Sequence, residues 1–156
     1  MPIIVPNSHF CLIPKELFKE EKKQLYWNTL YPDIHCDNIA KDDFGDFYLL
    51  YANSKNAESI HGITFMYNSL QKNFSQQADA ICLSICDNRF LILALKDYQL
   101  VHSGYFYFSV QEDILYHIVN LSQHFFEDFY QTPIYYNQIS QKNLSFLKEY
   151  FEMTQI

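Results

Sequence analysis

Apolar residues recur along this chain with two periods, and the places where the period changes mark the expected elements. HFCLI, 9–13, is a short apolar run of strand type. Pro14 suits the first turn of a helix, where its missing N–H costs nothing, and the expected helix runs to Tyr31, stopped by Pro32. Its middle, KEEKKQ at 19–24, is wholly polar, so a solvated joint is expected there. Two strands are expected near 34–40 and 46–52. Asn56 can cap a helix over 57–74, in which Ile60, Ile63, Tyr67, Leu70 and Phe74 repeat at helical spacing. Gly62 inside that helix weakens it by roughly 1 kcal/mol relative to Ala.

From residue 80 the pattern sharpens. Ile81, Leu83 and Ile85 share one face of a strand, and FLILAL, 90–95, is apolar on both faces, as a doubly covered central strand must be. Asp87-Asn88 joins these two strands as a tight turn, since both residue types tolerate left-handed backbone. LVHSGYFYF, 100–108, is a third strand. Ser109 and Glu112 have the S-x-x-E spacing of a capping box, and the helix they open is expected to reach Gln131. Ile114, Ile118, Leu121, Phe125 and Phe129 line its inner face. PIYYN, 133–137, is a fourth strand, and Ser140 caps a last helix with Leu144, Leu147 and Phe151 inward. Strand-strand-strand-helix-strand-helix defines an α/β (α+β) chain with a mixed sheet, the order of an actin-like or ribonuclease H-like half-domain. The expected organisation is one domain over 1–156. Its soft division near 75–77 separates a partial first lobe, 1–74, from a second lobe, 78–156.

Composition narrows the function classes. The 156 residues are 49% hydrophobic and 18% aromatic, with 13 Tyr, 14 Phe and one Trp. A formal net charge of −7, a single arginine (Arg89) and scattered lysines argue against a nucleic-acid backbone or an anionic membrane as partner. No apolar run reaches the length of a membrane span, and MPIIVPNSHF lacks the basic start of a signal peptide, so a cytoplasmic location is the expectation. Cys82 and Cys86 lie roughly 13 Å apart along an extended strand, too far for a disulfide. With Cys11 and Cys36 they read as free thiols.

Several segments resemble an uncharacterised bacterial family, domain of unknown function 3822, whose members are similar to divergent actin-like ATPases. The matching stretches are HFCLIPKELF at 9–18, QLVHSGYFYF at 99–108, Glu112-Asp113 with Tyr116, and YYNQIS at 135–140. The family pattern has Asn where Gly104 stands and Gly where Asn137 stands. Against that pattern the chain is expected to be shortened at both ends, beginning partway into the first lobe and stopping before the final strand of the second. The resemblance also implies a nucleotide site. Actin-like ATPases cradle phosphate in a hairpin of the type Asp-x-Gly, where glycine lets backbone N–H groups approach. The corresponding residues here are Asp87, Asn88 and Arg89, without glycine, and no GxxxxGK(S/T) motif is present. Asp87 and Asn88 are thus cofactor-binding candidates only under an alternative reading, a divergent nucleotide-binding ATPase completed by oligomerisation.

Other chemistry is weaker. A two-Mg²⁺ carboxylate site would need Asp87, Asp97 and Asp113 to converge, but successive hairpin turns lie at opposite ends of a sheet. Asp113, His117, Asn120, His124, Glu127 and Gln131 form a polar helical stripe, yet His117 and His124 are about 10.5 Å apart along the axis, too far for one Zn²⁺. The bland reading is a solvated face with Asp113–His117 and His124–Asp128 pairs. No metal, cofactor or catalytic residue is assigned. The aromatic stock points instead to an interaction surface, with Tyr105, Tyr107, Trp27 and Tyr130 as candidates. Open strand edges would add to it. A non-catalytic binding or scaffolding protein, engaging a protein partner or a second copy of itself, is the expectation.

Overall fold

The structure is a computed structural model that describes residues 3–5, 8–53, 59–73, 78–126 and 131–156, with the backbone alone for 3–5 and 73. The chain separates into two compact units, Met1–Phe65 and Met66–Ile156. The division expected near 75–77 falls outside the described residues.

The first unit holds strands β1 (Ile3–Val5), β2 (Phe10–Pro14), β3 (Ile39–Phe44), β4 (Phe47–Ala52) and β5 (Ser59–His61) with helix α1 (Lys23–Leu30). β2, β4 and β3 form an antiparallel sheet in that order, and β1 pairs in parallel with β5. The β3–β4 hairpin turns through Gly45-Asp46, where Gly45 takes a left-handed φ of 57° that only glycine adopts freely. The helix expected from Pro14 is corrected. Pro14 ends β2, paired with Phe47 on an edge strand, where its missing N–H breaks no internal ladder. A turn of 3-10 helix, Glu20–Lys22, follows, and α1 starts only at Lys23 because the polar 19–24 stretch offers nothing to bury. Trp27 is the one buried residue of α1. It packs with Cys11, Ile39 and Leu50, and its Nε1–H donates to the Ile34 carbonyl at 3.1 Å. That use of Ile34 helps explain why the strand expected from 34 begins only at Ile39. The Tyr51 hydroxyl, fully buried, donates to the Ser59 carbonyl at 2.8 Å, and the Asp42 carboxylate accepts from the His61 N–H at 2.7 Å, which ties β5 to the β3–β4 hairpin. Burial pushes the Tyr51 hydroxyl up to about 12.

Helix α2, Gly62–Asn73, contains the boundary between the units. It begins later than expected because 59–61 is strand; the Asn56 cap lies outside the described residues. Gly62 is therefore the first helical residue, where the interior penalty does not apply.

The second unit contains β6 (Ala80–Cys86), β7 (Arg89–Lys96), β8 (Gln99–Tyr107), α3 (Gln111–Phe125), β9 (Ile134–Gln138), α4 (Gln141–Leu147) and β10 (Met153–Gln155). One five-stranded sheet runs β10-β9-β6-β7-β8, antiparallel from β6 to β8 and parallel across β6, β9 and β10. The expectation that this lobe stops before its last strand is corrected, since Met153–Gln155 pairs with Ile134–Tyr136. Three apolar residues of α3 (Ile114, Ile118 and Leu121) and Leu147 of α4 pack on Ile81, Leu83, Phe90 and Ile92. The intervening residues of β7, Leu91, Leu93 and Leu95, are also buried, so the central strand is closed on both faces. α3 ends at Phe125, short of the expected Gln131, because Phe126 turns to extended backbone and is buried. Cys82 lies in this core, where burial raises its thiol far above the ordinary range, and all four cysteines are free.

Gly104 is the tight point of β8. A Cβ there would lie 2.4 Å from Cε2 of Phe106 and 3.1 Å from Nε2 of His102. Phe106 in turn stacks on Phe90 at 5.2 Å. Gly104→Ala must therefore displace the Phe106 ring, with an expected loss of about 1–3 kcal/mol in urea unfolding. Combined with Phe106→Ala the two losses should be less than additive; full additivity would show that the ring is not what Gly104 accommodates.

Candidate functional site

Two features of the second unit gather the candidate residues. The first is a cleft at the β6–β7 turn. Cys86 pairs with Arg89, so Asp87-Asn88 is a two-residue loop, and Asp87 carries the left-handed φ of 55°. The Asn88 carbonyl accepts from the Phe108 N–H at 2.9 Å, holding the turn against the exit of β8. Beside the turn lies a cavity of about 440 Å³ lined by Asp87, the start of α3 (Ser109, Gln111) and the start of α4 (Ser140, Asn143). Gln111 Nε2 donates to Asn143 Oδ1 at 3.0 Å and to the Lys142 carbonyl at 3.2 Å, clamping the two helix starts together.

Helix starts attract anions because their first N–H groups lack partners. Part of each start is taken up by the chain itself. The Asp113 carboxylate accepts from the N–H groups of Ser109 and Val110 at 2.8 and 3.2 Å, and Ser140 Oγ accepts from the Asn143 N–H. The capping box expected from Ser109 and Glu112 is thus corrected by one residue: Val110 is the N-cap and Asp113 reaches back. Seen from the sequence, Glu112 and Asp113 are adjacent acids, and only the rotation of the helix start selects between them. The Asp113 carboxyl is held below its ordinary value chiefly by the Ser109 and Val110 N–H groups. An anionic ligand at the α3 start would meet the carboxylates of Asp113 and Asp87.

The second feature is the outer strand. Arg89 lies opposite Tyr107 across the β7–β8 ladder. Its guanidinium lies 3.6 Å from the Asp87 carboxylate, and its interaction with the Tyr105 hydroxyl is the main reason its pKa is raised. Tyr105 and Tyr107 meet edge to face at 5.5 Å, and Tyr107 is 63% exposed. The fold therefore brings together Asp87, Tyr105 and Tyr107 through Arg89. Sequence reading did not place Arg89 in a site, although its being the only arginine was a signal. Trp27 is not with them. It has no exposed surface, because its indole anchors α1, so its expected surface role is corrected. Tyr130 lies outside the described residues.

The remaining histidine expectations divide. His117 packs on Phe106 at 4.3 Å, half-buried rather than on a solvated face, and lies close enough to Asp113 for their charges to interact. His124 is exposed, and its expected partner Asp128 is outside the described residues. Among the described residues no group of three or more His, Cys, Asp or Glu is placed to hold a metal ion, and no helix is long and apolar enough to cross a membrane.

A five-stranded mixed sheet with three antiparallel strands, two crossover helices and a cleft at the first turn is an actin-like lobe. A solved protein of Bacteroides thetaiotaomicron, with an actin-like ATPase fold and unknown function, superposes on 99% of this chain and 67% of its own, with a TM-score of 0.75 and 15% identity. The sequence pattern of the protein family of unknown function DUF3822 matches residues 1–152, and the chain belongs to that family. No curated protein matches it.

The cap makes a pH-dependent prediction. Because the Asp113 carboxyl is held below its ordinary 3.8, its stabilisation is fully present above that value and is lost as pH falls through the folded-state pKa. Asp113→Asn should lower the thermal unfolding midpoint at pH 7. The gap from the unmodified chain should close as the pH is taken well below 3.8. A gap that persists undiminished in acid would rule out the carboxylate as its source.

Proposed function

We propose that this protein is a non-catalytic binding or scaffolding protein that engages a protein partner by strand addition to the outer edge of β8. The observation that carries the reading is the character of that edge. β8 pairs only with β7 among the described residues. Its residues, QLVHSGYFY, contain no Lys, Arg, Asp, Glu or Pro, the features that normally keep exposed edges from pairing. The main chain would supply affinity, and side chains on alternate positions, Tyr105 and Tyr107 among them, would supply selectivity. The carboxylates of Asp87 and Asp113 beside the helix starts speak against a phosphate site.

If a second copy is the partner, light scattering of the purified chain should give a mass above 18.7 kDa at high micromolar concentration. Lysines at Ser103 and Tyr107 should return it to the monomer with an unchanged circular dichroism spectrum. If the unmodified chain stays monomeric up to millimolar concentration and recovers no protein from its native cell extract, the reading loses its support.

The cavity beside Asp87 favours one second reading, a divergent nucleotide-binding ATPase completed by oligomerisation. In that case calorimetry should detect ATP–Mg²⁺ at micromolar affinity, and Asp87→Ala should abolish it. Under the binding-protein reading no heat is expected with either chain.

A further inference from the structure

A second cavity, of about 480 Å³, lies between β8 and α3, away from the Asp87 turn. Its volume is in the range of small-molecule sites. Ile92, fully buried, forms its floor, with Leu121 and Phe125 from α3 and Phe106 from β8. Its polar atoms come from His102 on β8 and from His117, Asn120 and His124 on α3. Positions 117, 120, 121, 124 and 125 share one helical face, so the helix presents imidazole, amide and apolar surface to one space.

The arrangement is held by packing. Phe106 lies 4.3 Å from His117, and its ring is within 11° of parallel to that of His102 at 6.2 Å. Gly104 leaves the space over the strand that Phe106 and His102 fill. The rings of His102 and His117 make aromatic contacts but no hydrogen bond to another described group, so their nitrogens are available to the cavity. Among the described residues no carboxylate lines the cavity. The polar equipment is thus imidazole and amide, which can donate hydrogen bonds and, when protonated, carry positive charge. A metal ion finds no three-ligand group here among the described residues.

We propose that this cavity binds a small aromatic monocarboxylate, its ring against Phe106, Leu121 and Phe125 and its carboxylate accepting hydrogen bonds from His102 and His117. A neutral hydrocarbon would give the imidazole nitrogens no partner. His102 is held below its ordinary pKa by burial and by His117, so the empty site favours the neutral ring. The bound carboxylate reverses that preference, and binding should take up a proton and tighten as pH falls. The groups facing the anion are His102 from β8 and His117 and His124 from α3. Asp113, one turn before His117, has a charge interaction with it, and its carboxylate is engaged with the Ser109 and Val110 N–H groups.

The test is a titration of the full chain with 2-naphthoate, followed by calorimetry and by the histidine ring resonances in NMR. Saturable binding is expected, with the His102 and His117 resonances moving and affinity rising about fivefold to tenfold between pH 8 and pH 6. The amide 2-naphthamide should bind about tenfold more weakly. His117→Gln should weaken the acid by about tenfold and leave the amide unchanged, which a merely structural role for His117 would not produce. Equal affinity for acid and amide, binding that leaves both histidine resonances still, or no saturation at millimolar 2-naphthoate would each overturn the proposal. Because the ring resonances are read in the unmodified chain, a variant that fails to fold does not remove the test. Failure here leaves the β8 edge unaffected, since strand addition uses the main chain and not the cavity.

Discussion

The architecture of the second unit depends on burying both faces of one strand. Phe90 to Leu95 contribute six apolar side chains with at most 4% exposure, each worth about 1.5–3 kcal/mol for the larger residues. A strand so apolar cannot sit at an edge, since half of its side chains would then face water. It needs a hydrogen-bonded neighbour on each side, which β6 and β8 supply through two-residue turns. Once β7 is central, β8 becomes the outer strand, and the inner face must be covered by α3 and α4. The outer position of β8, the cleft at the first turn and the cavity under α3 all follow from that placement.

The turns are sharper than the side chains alone would prefer. Asp87, Asp97 and Tyr98 all adopt positive φ, with values of 55°, 50° and 64°. Asp tolerates that region through local hydrogen bonding, whereas Tyr98 must be held there by the ladder. The Tyr98 N–H donates to the Ala78 carbonyl at 2.8 Å, and the Asp97 N–H to Asp79 Oδ1 at 2.9 Å, so the chain entering β6 braces the second turn. At the first turn the brace is Arg89, set between Asp87 and Tyr105. The same two-residue geometry thus yields a buttressed turn at one end of the sheet and, at the other, a turn that opens on a cleft.

The cleft at the first turn gathers several hydrogen bonds made by the chain's own groups. Asp113 accepts from the helix start, Ser140 caps α4, and Gln111 links the two. The N–H groups of Ser109, Val110 and Asn143 are thereby engaged, and the polar cavity lies beside them. The cavity under α3 differs in kind, because its imidazoles make no hydrogen bond to another described group.

Much of the second unit was legible from residue types. The alternation at 81–85, the unbroken run at 90–95 and the cap at Ser140 dictate elements that local chemistry nearly fixes by itself. Departures occurred where two local signals competed. Pro14 suits a helix start, yet it can end an edge strand, and the pairing of β2 with β4 decided between them. Glu112 and Asp113 are equivalent acids until the helix start is oriented. Trp27 and Tyr107 are both large aromatics in mixed surroundings. One became the anchor of α1 and the other stands on an open edge, because burial depends on what packs across from a residue, not on the residue. By itself the sequence determined the order of strands and helices from β6 to α4, the missing glycine at Asp87-Asn88 and the uncharged outer strand, all properties of neighbouring residues. The tertiary structure alone decided that a fifth strand joins β9, that Arg89 links Asp87 to Tyr105, and that His102 and His117 share a cavity. Each of those joins residues distant in the chain, whose approach is set by the burial of β7.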